Sequence, residues 1–393
     1  MASVIDNPTD VTAPSRHHGL DALRAGALLL GIVLHSLLPF VPGLPWLVND
    51  SETSMLLGIP VYVIHLFRMT LFMLLAGYFG RLVLQRRGPG RYLRDRLLRI
   101  LLPFVVFWPI SVLSLGILAV VNAQVHGIPL VAPPTPEGPA FLMINPGQLW
   151  FLLVLMQCVV IMLVVRGLAV LVLGHDRCAA LAARCGRILS APAGVLIAAL
   201  PYAIGLLVQG SVLGGIIAPS TLLPSAPSLI TYLGAFAAGW SLHARADGLT
   251  RIARCWPVYL ASAVISTVVG LGQSDPGSTT PLPVAAGVMA LAGWCWVYGL
   301  LGVCTRHLTG ERPSVRYLAD ASYWMYLIHL PLLVGFEILL VALDWPILIK
   351  LGLTWVVVGA VLVISYHLLV RSTPLGGWLN GRRYPFRWPG RAG

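Results

Sequence analysis

The stretch LDALRAGALLLGIVLHSLLPF, residues 20–40, decides the fold class. It is long enough to cross the roughly 30 Å hydrocarbon core of a bilayer as one α-helix. Of the 393 residues, 58% are hydrophobic and only 10% are charged, whereas a soluble domain has roughly a quarter charged. These values exclude a soluble enzyme and a disordered chain, and unbroken rather than alternating apolar runs exclude a β-barrel. We therefore predict an all-α, polytopic membrane helix bundle.

Apolar runs of similar length recur along the whole chain and predict about ten transmembrane helices. No soluble module or clear internal repeat separates them. The predicted spans are 21–42, 61–82, 99–122, 148–172, 191–209, 226–243, 256–273, 282–304, 322–342 and 347–370.

The basic residues predict the orientation of these spans. Lys350 is the only lysine, and 23 of the 26 basic residues fall in alternate segments that we assign to the cytoplasm by the positive-inside rule. The three exceptions are Arg24, Arg68 and Lys350, the last at an external span end. The net charge of +12 thus indicates topology and contact with membrane lipids, not nucleic acid. Both termini are predicted to be cytoplasmic, and the chain divides into an N-terminal segment (1–20), a membrane domain (21–372) and a basic tail (373–393).

Ionisable side chains inside spans are costly and mark candidate functional sites. Arg24 and His35 are 11 residues apart, so they share one face of the first span about 16 Å apart along its axis. Asp21 lies on nearly the same face and can pair with Arg24. A snorkelling arginine and a packed histidine are the alternatives for this pair.

The second span carries His65 and Arg68 one helical turn apart, in its outer half. Arginine does not lose its proton in proteins, so a buried guanidinium needs an anionic or carbonyl partner. Arg68 is therefore either paired for structural reasons or a substrate-binding group.

Near the other end of the chain, Tyr326 and His329 share a face of the ninth span, and Glu337 follows two turns later. Glu337 is the only carboxylate predicted deep in a span and is a candidate partner for Arg68 or a histidine. Trp150, at the outer start of the fourth span, belongs either to a binding site or to the aromatic belt.

Several signals of other chemistries are absent from the sequence. It has no nucleophile elbow, Walker loop, dinucleotide fingerprint or H-E-x-x-H motif. The histidines are scattered, so we predict no metal site.

Five motifs in order resemble the membrane acyltransferase family 3, and they extend from about residue 17 to 372. The likeness is closest to the branch of osmoregulated periplasmic glucan succinyltransferases. The motifs are Arg24-x10-His35, IHLFRMTLFMLLAGYF (64–79), RDRLLRILLP (94–103), LWFL (149–152) and SYWMYLIHLP (322–331). One departure is Gln148, where that branch has histidine.

The resemblance implies a ten-helix O-acyltransferase of the bacterial inner membrane. Such an enzyme moves an acyl group from cytoplasmic acyl-CoA, here succinyl-CoA or acetyl-CoA, to a hydroxyl of an extracytoplasmic glycan. Acyl-CoA is then a donor substrate, and no permanently bound cofactor is expected.

The residues fit roles in that chemistry. A neutral imidazole suits removal of a hydroxyl proton near pH 7, a role that we assign to His35 as base or as a transiently acylated group. Arg24, Arg96 and Arg99 are the candidates for binding CoA, the last two having positive-inside anchoring as their alternative. Arg68 and His65 are the candidates for polarising the thioester or orienting the acceptor. The candidates for acceptor binding are Trp150, Tyr326, His329 and Glu337.

Two other classes of function fit parts of the pattern. A transporter or flippase would use intramembrane His, Arg and Glu without chemical change to its substrate. A non-catalytic scaffold protein gives no reason for Arg24 and His35 to lie on one face of the first span. If the protein is an acyltransferase, the candidate acceptors are a glucan, another surface polysaccharide, a lipid-linked sugar and a natural product. Whether the protein forms a homo-oligomer stays open.

Overall fold

The structure is a computed structural model that describes residues 18–44, 46–127, 144–273 and 278–385. The described residues form fourteen α-helices, extended in places by short 3-10 or π-helical turns such as Leu97–Leu101 and Tyr366–Val370. The helices are α1 (His18–Leu37), α2 (Gly58–Arg87), α3 (Pro89–Arg96), α4 (Leu102–His126), α5 (Trp150–Leu173), α6 (His175–Leu189), α7 (Gly194–Gln209), α8 (Ala226–His243), α9 (Gly248–Arg254), α10 (Trp256–Gln273), α11 (Leu282–His307), α12 (Pro313–Val341), α13 (Ile347–Ser365) and α14 (Pro374–Asn380).

Eight helical segments among the described residues are long and apolar enough to cross a bilayer. They are α1, α2, α3 continued by α4, α5, α10, α11, α12 and α13. The pair α6 and α7 adds a ninth only if it forms one span, with a bend of 99°. The all-helical membrane class is confirmed, whereas the predicted count of ten is larger than the eight that length and composition support.

The difference in count lies in α7 and α8, whose apolar runs predict two full spans. With 16 residues, α7 is about 24 Å long, short of the hydrocarbon thickness. α8 is buried between neighbouring helices and carries polar side chains such as Ser228, Thr231 and Tyr232 at 4% exposure or less. A helix shielded from lipid by other helices does not need an apolar surface. That α7 and α8 cross the membrane stays a prediction.

The two largest apolar cores hold most of the bundle together, and α1 contributes to each of them. The larger core joins α2, α7, α8, α10 and α11, and it includes Leu20 and Leu23 of α1. The second core joins α4, α5, α12 and α13, and it includes Leu28 and Ile32 of α1. The polar residues of α1 are thereby held between two packed halves.

The segments that the positive-inside rule assigns to the cytoplasm lie on one face of the bundle, which we call the basic face. Trp378 of α14 donates to the carbonyl of Leu98, and Arg382 pairs with Asp320. His18, the first described residue, lies beside Leu308 and Arg312. Both ends of the described chain thus meet at this face, and its cytoplasmic location stays a prediction. Arg96 and Arg99 lie in continuous helical structure, Arg96 at the end of α3 and Arg99 in the following π-helical turn.

The opposite face gathers the loop between α1 and α2 with the outer ends of other helices. Asn122 of α4 donates to the carbonyl of Leu47 at 2.8 Å. Lys350 of α13 donates to Asp50 at 2.6 Å, and both side chains are almost fully buried. The charge of Lys350, which the sequence places at an external span end, is thus neutralised inside the protein. Most of the segment 123–147, which joins the third and fourth predicted spans, lies outside the described residues.

Candidate functional site

Four predicted site residues from three helices come together in what we call the His–Arg cluster: His35 of α1, His65 and Arg68 of α2, and His329 of α12. The ring centroids of His35 and His329 are 5.5 Å apart. His35 also interacts electrostatically with Arg68 and with His65. Positions almost 300 residues apart in sequence thus form one polar centre inside an apolar bundle.

Arg68 reaches α1 because α1 has no side chain at Gly31. A Cβ added at Gly31 would lie 2.3 Å from Nη1 of Arg68, far inside van der Waals contact. The guanidinium also interacts electrostatically with Tyr232 and Tyr326, but its buried Nε has no hydrogen-bond partner among the described residues. Since Arg68 forms no ion pair in the described part of the chain, it keeps hydrogen-bonding capacity for an anionic or carbonyl group.

His329 has a defined tautomer. Its Nδ1 lies 2.8 Å from the carbonyl oxygen of Tyr326. A carbonyl oxygen can only accept, so Nδ1 carries the proton and, in the neutral ring, Nε2 keeps its lone pair. His35 differs, because its buried Nδ1 has no partner in the described residues.

Trp46, in the loop between α1 and α2, closes the cluster on one side. Its indole stacks on the His35 ring with a centroid distance of 5.6 Å and an interplanar angle of 17°. The indole Nε1 donates to Oε2 of Glu337 at 3.1 Å. Glu337 thus acts on the cluster through Trp46, and no ion pair joins it to Arg68 within the described ranges.

The start of α5 borders the cluster through Tyr326. The Tyr326 hydroxyl donates to the carbonyl of Gln148 at 2.9 Å, and the Gln148 side chain donates back to the carbonyl of Leu327 at 3.1 Å. The Trp150 ring packs against that of Tyr232 at a centroid distance of 5.8 Å and a tilt of 36°, and Tyr232 interacts with Arg68. Trp150 therefore lies inside the bundle next to the cluster, and not in a lipid-facing aromatic belt.

The three arginines predicted to bind CoA lie on the basic face, away from the cluster. Arg24 pairs with Asp21 at 3.8 Å, as the helix spacing predicts. Arg96 stacks on Tyr92 at 5.0 Å, and Arg99 pairs with Asp95 at 3.2 Å. Arg24 and Arg99 keep about a third of their side-chain surface exposed, so both remain reachable by a solute at this face.

Sequence reasoning missed Trp46 and the ion pair of Asp50 with Lys350. Trp46 lies in a loop, outside every apolar run, and no helical spacing connects it to His35 or Glu337. A weak signal was available for the ion pair, since Lys350 is the only lysine in the chain and lies near the start of a span. Within the described residues, no group of three or more His, Cys, Asp and Glu side chains is arranged to hold a metal ion.

The cluster has the parts that acyl transfer to a hydroxyl requires. Imidazoles can move a proton between oxygen and sulfur near neutral pH. A fixed cation next to them can stabilise the negative charge that develops on a carbonyl oxygen. His35, His65 and Arg68 are only partly buried as whole residues, although most of their neighbours are buried.

Comparison with known protein families agrees with this geometry. The family model described as an acyltransferase domain, that of acyltransferase family 3, matches residues 17–370. The chain belongs to this acyltransferase family. It is therefore a multi-pass membrane acyltransferase, and the matched range contains every predicted site residue.

Individual relatives in this acyltransferase family are more distant. The glucans biosynthesis protein C of Escherichia coli K12 is 33% identical over 98 residues, which are 25% of this chain and 25% of that protein. The same protein of strain SMS-3-5 gives the same identity and coverage. The chain thus matches about a quarter of the length of these curated relatives. No solved structure matches the chain.

Proposed function

We propose that this membrane acyltransferase transfers a succinyl or acetyl group from cytoplasmic acyl-CoA to a hydroxyl of an extracytoplasmic glycan, with His35 as general base. The observation that carries the proposal is the His–Arg cluster, where His35 is held between Trp46 and His329 beside Arg68. The name of the glucans biosynthesis protein C relatives favours a glucan as acceptor.

The reaction proceeds in two balanced steps. His35 takes the proton of the acceptor hydroxyl as the oxygen forms a bond to the thioester carbonyl carbon. The resulting oxyanion lies against the Arg68 guanidinium, which has donors left for it. The carbon–sulfur bond then breaks, the ester remains on the acceptor, and the His35 imidazolium returns the proton to the CoA thiolate.

The remaining site residues bind and orient the two substrates. Arg24, Arg96 and Arg99 hold anionic groups of the donor at the basic face, because an arginine fork binds phosphate in a bidentate manner. His65 and His329 flank the reacting atoms, and the aromatic side chains of Trp150 and Tyr326 contact the acceptor. Glu337 keeps Trp46 against the His35 ring.

The direct test measures transfer of a labelled acyl group in proteoliposomes. We expect His35→Ala to lower turnover by roughly 10²–10⁴-fold, the usual contribution of a general base. Arg68→Ala should lower turnover by roughly 10²–10³-fold with little change in CoA binding, and Arg24→Ala should weaken CoA binding. Full turnover by a folded His35→Ala protein would refute the mechanism.

A second experiment identifies the acyl group and the acceptor in cells. Mass spectrometry of periplasmic glycans from cells with and without the gene should show succinyl or acetyl groups only when the gene is present. If the glucans are unmodified but a surface polysaccharide, lipid-linked sugar or secreted product is acylated, then that molecule is the acceptor and the glucan is not.

A further inference from the structure

The basic face contains a cavity of about 410 Å³ that none of the roles above uses. It lies between the start of α12, the π-helical turn that ends α13 and the segment after α14. Cavities of this size are typical of small-molecule sites. Its walls are formed by Glu311, Pro313, Arg316, Tyr317, Asp320, Tyr366, Arg371 and Tyr384.

Both carboxylates of the cavity are already neutralised by arginine. Asp320 pairs with Arg382 and accepts a hydrogen bond from the Tyr384 hydroxyl at 2.7 Å. Burial and this hydrogen bond raise the pKa of Tyr384, which keeps its hydroxyl protonated as a donor. Glu311 pairs with Arg316 at 2.6 Å. The acidic groups therefore do not make the cavity anionic.

Arg371 supplies a positive charge that no carboxylate offsets in the described part of the chain. Its guanidinium is held between two aromatic rings, 5.0 Å from the centroid of Tyr317 and 5.3 Å from that of Tyr384. Stacking on two rings fixes the plane of the guanidinium and leaves its edge donors available. This arrangement suits a phosphate oxygen.

Helix α12 contributes to both the cavity and the His–Arg cluster. Tyr317 lines the cavity, whereas His329 belongs to the cluster. Tyr317 and His329 are 12 residues apart, or about 18 Å along the helix. A ligand anchored by phosphate in the cavity therefore needs a chain of at least this length to reach the reacting centre.

We propose that this cavity binds the phosphate-bearing nucleotide end of the acyl-CoA donor, with Arg371 as its phosphate ligand and with the pantetheine arm extending from there toward the His–Arg cluster. The inference rests on the proposed function for the identity of the donor. An anionic lipid headgroup offers the same phosphate chemistry, so the test must separate the two sources.

The test compares two donors that carry the same acyl group, acyl-CoA and acyl-pantetheine, which lacks the nucleotide. For Arg371→Gln we expect KM for acyl-CoA to rise about tenfold or more, with kcat unchanged. Acyl-pantetheine should be used equally by the variant and by the wild type. The matched control is Arg177→Gln, at an exposed arginine of α6, which should leave both donors unaffected.

Other outcomes would overturn the proposal. An equal loss of activity with both donors would assign Arg371 to folding, and a loss confined to vesicles with anionic lipid would assign the cavity to a lipid headgroup. If Arg371→Gln fails to fold, Arg371→Lys keeps the charge but not the planar fork, and an unchanged KM for acyl-CoA in that variant would also refute the proposal.

Binding of CoA alone separates this proposal from the proposed function. If the wild type transfers no acyl group but still binds CoA, and Arg371→Gln loses that binding at least tenfold, then the cavity assignment stands and the proposed reaction fails. If acyl transfer is observed and Arg371→Gln binds CoA as tightly as the wild type, then the proposed reaction stands and the cavity assignment fails.

Discussion

At the scale of single residues, the position of Arg68 depends on a missing side chain. The guanidinium occupies the space that a Cβ at Gly31 would need, and it thereby reaches the His35 side of the cluster. Small residues at helix contacts allow this kind of close approach in membrane proteins. Gly31 thus controls where the positive charge lies without taking part in the chemistry.

The variant Gly31→Ala tests this placement while Arg68 stays in the chain. The added methyl group must push the flexible guanidinium away from α1, so we expect at least a tenfold loss of acyl transfer with little change in melting temperature. The control is Gly26→Ala on the same helix, where an added Cβ meets nothing within 4 Å. Wild-type transfer by Gly31→Ala would contradict the placement of Arg68.

The indole of Trp46 provides a second test at this scale. Trp46→Phe keeps an aromatic ring over His35 but removes the donor to Glu337, leaving a buried carboxylate without that bond. We expect a lower kcat, because His35 loses its orientation. The KM for acyl-CoA should stay unchanged, because the substitution leaves the donor-binding site intact. Trp355→Phe removes a similar indole bond, to Ser36 at 2.8 Å, and serves as the control. An equal effect of the two substitutions would argue against a positioning role.

At the scale of structural elements, the loop between α1 and α2 is fixed to the bundle at several points. Asp50 accepts a hydrogen bond from Lys350 of α13, and the carbonyl of Leu47 accepts one from Asn122 of α4. Trp46 lies in the same loop and reaches Glu337 of α12. The loop therefore acts as a rigid cover that holds Trp46 against His35.

Removal of one partner of the buried ion pair should loosen this cover. Asp50→Ala leaves the Lys350 ammonium buried without its partner, and we expect a loss of about 3–5 kcal/mol in unfolding free energy, measured by thermal unfolding in detergent. Replacement of both partners, Asp50→Leu with Lys350→Met, should recover much of the loss. The exposed pair of Arg316 with Glu311 provides the control, because Glu311→Ala should cost about 1 kcal/mol or less. A similar small effect of Asp50→Ala would show that the pair does not hold the loop.

At the scale of the whole molecule, charge and chain ends share one face while the His–Arg cluster lies deeper in the bundle. The arginines predicted to hold the donor lie on the basic face, and the cavity around Arg371 opens on the same face. The loop that carries Trp46 covers the opposite face. This arrangement is consistent with the proposed transfer from a donor on one side of the membrane to an acceptor on the other.

Reporter fusions test this topology and the status of α7 and α8. A fluorescent protein attached after Gly393 should fluoresce, because that end is predicted to be cytoplasmic. Alkaline phosphatase fused after Gly214, between α7 and α8, should be active if both helices cross the membrane. An inactive fusion at Gly214 with an active control fusion at Leu44, between α1 and α2, would remove both helices from the set of spans.

The sequence by itself determined the fold class and most of the spans, and it singled out the candidate residues for the chemistry. Long apolar runs specify transmembrane helices locally, and ionisable residues inside them are rare enough to identify by inspection. Helix spacing also predicted the pairing of Asp21 with Arg24, which the structure confirms.

Only the tertiary structure decided which of those residues meet. Contacts between α1, α2 and α12 depend on the packing of the two cores, and Trp46 reaches His35 from a loop with no periodicity to read. Burial of α8 between other helices likewise relaxes the need for an apolar surface, so its composition does not report its environment. Local sequence encodes which segments are helical and apolar, whereas long-range packing selects the partners of each polar group.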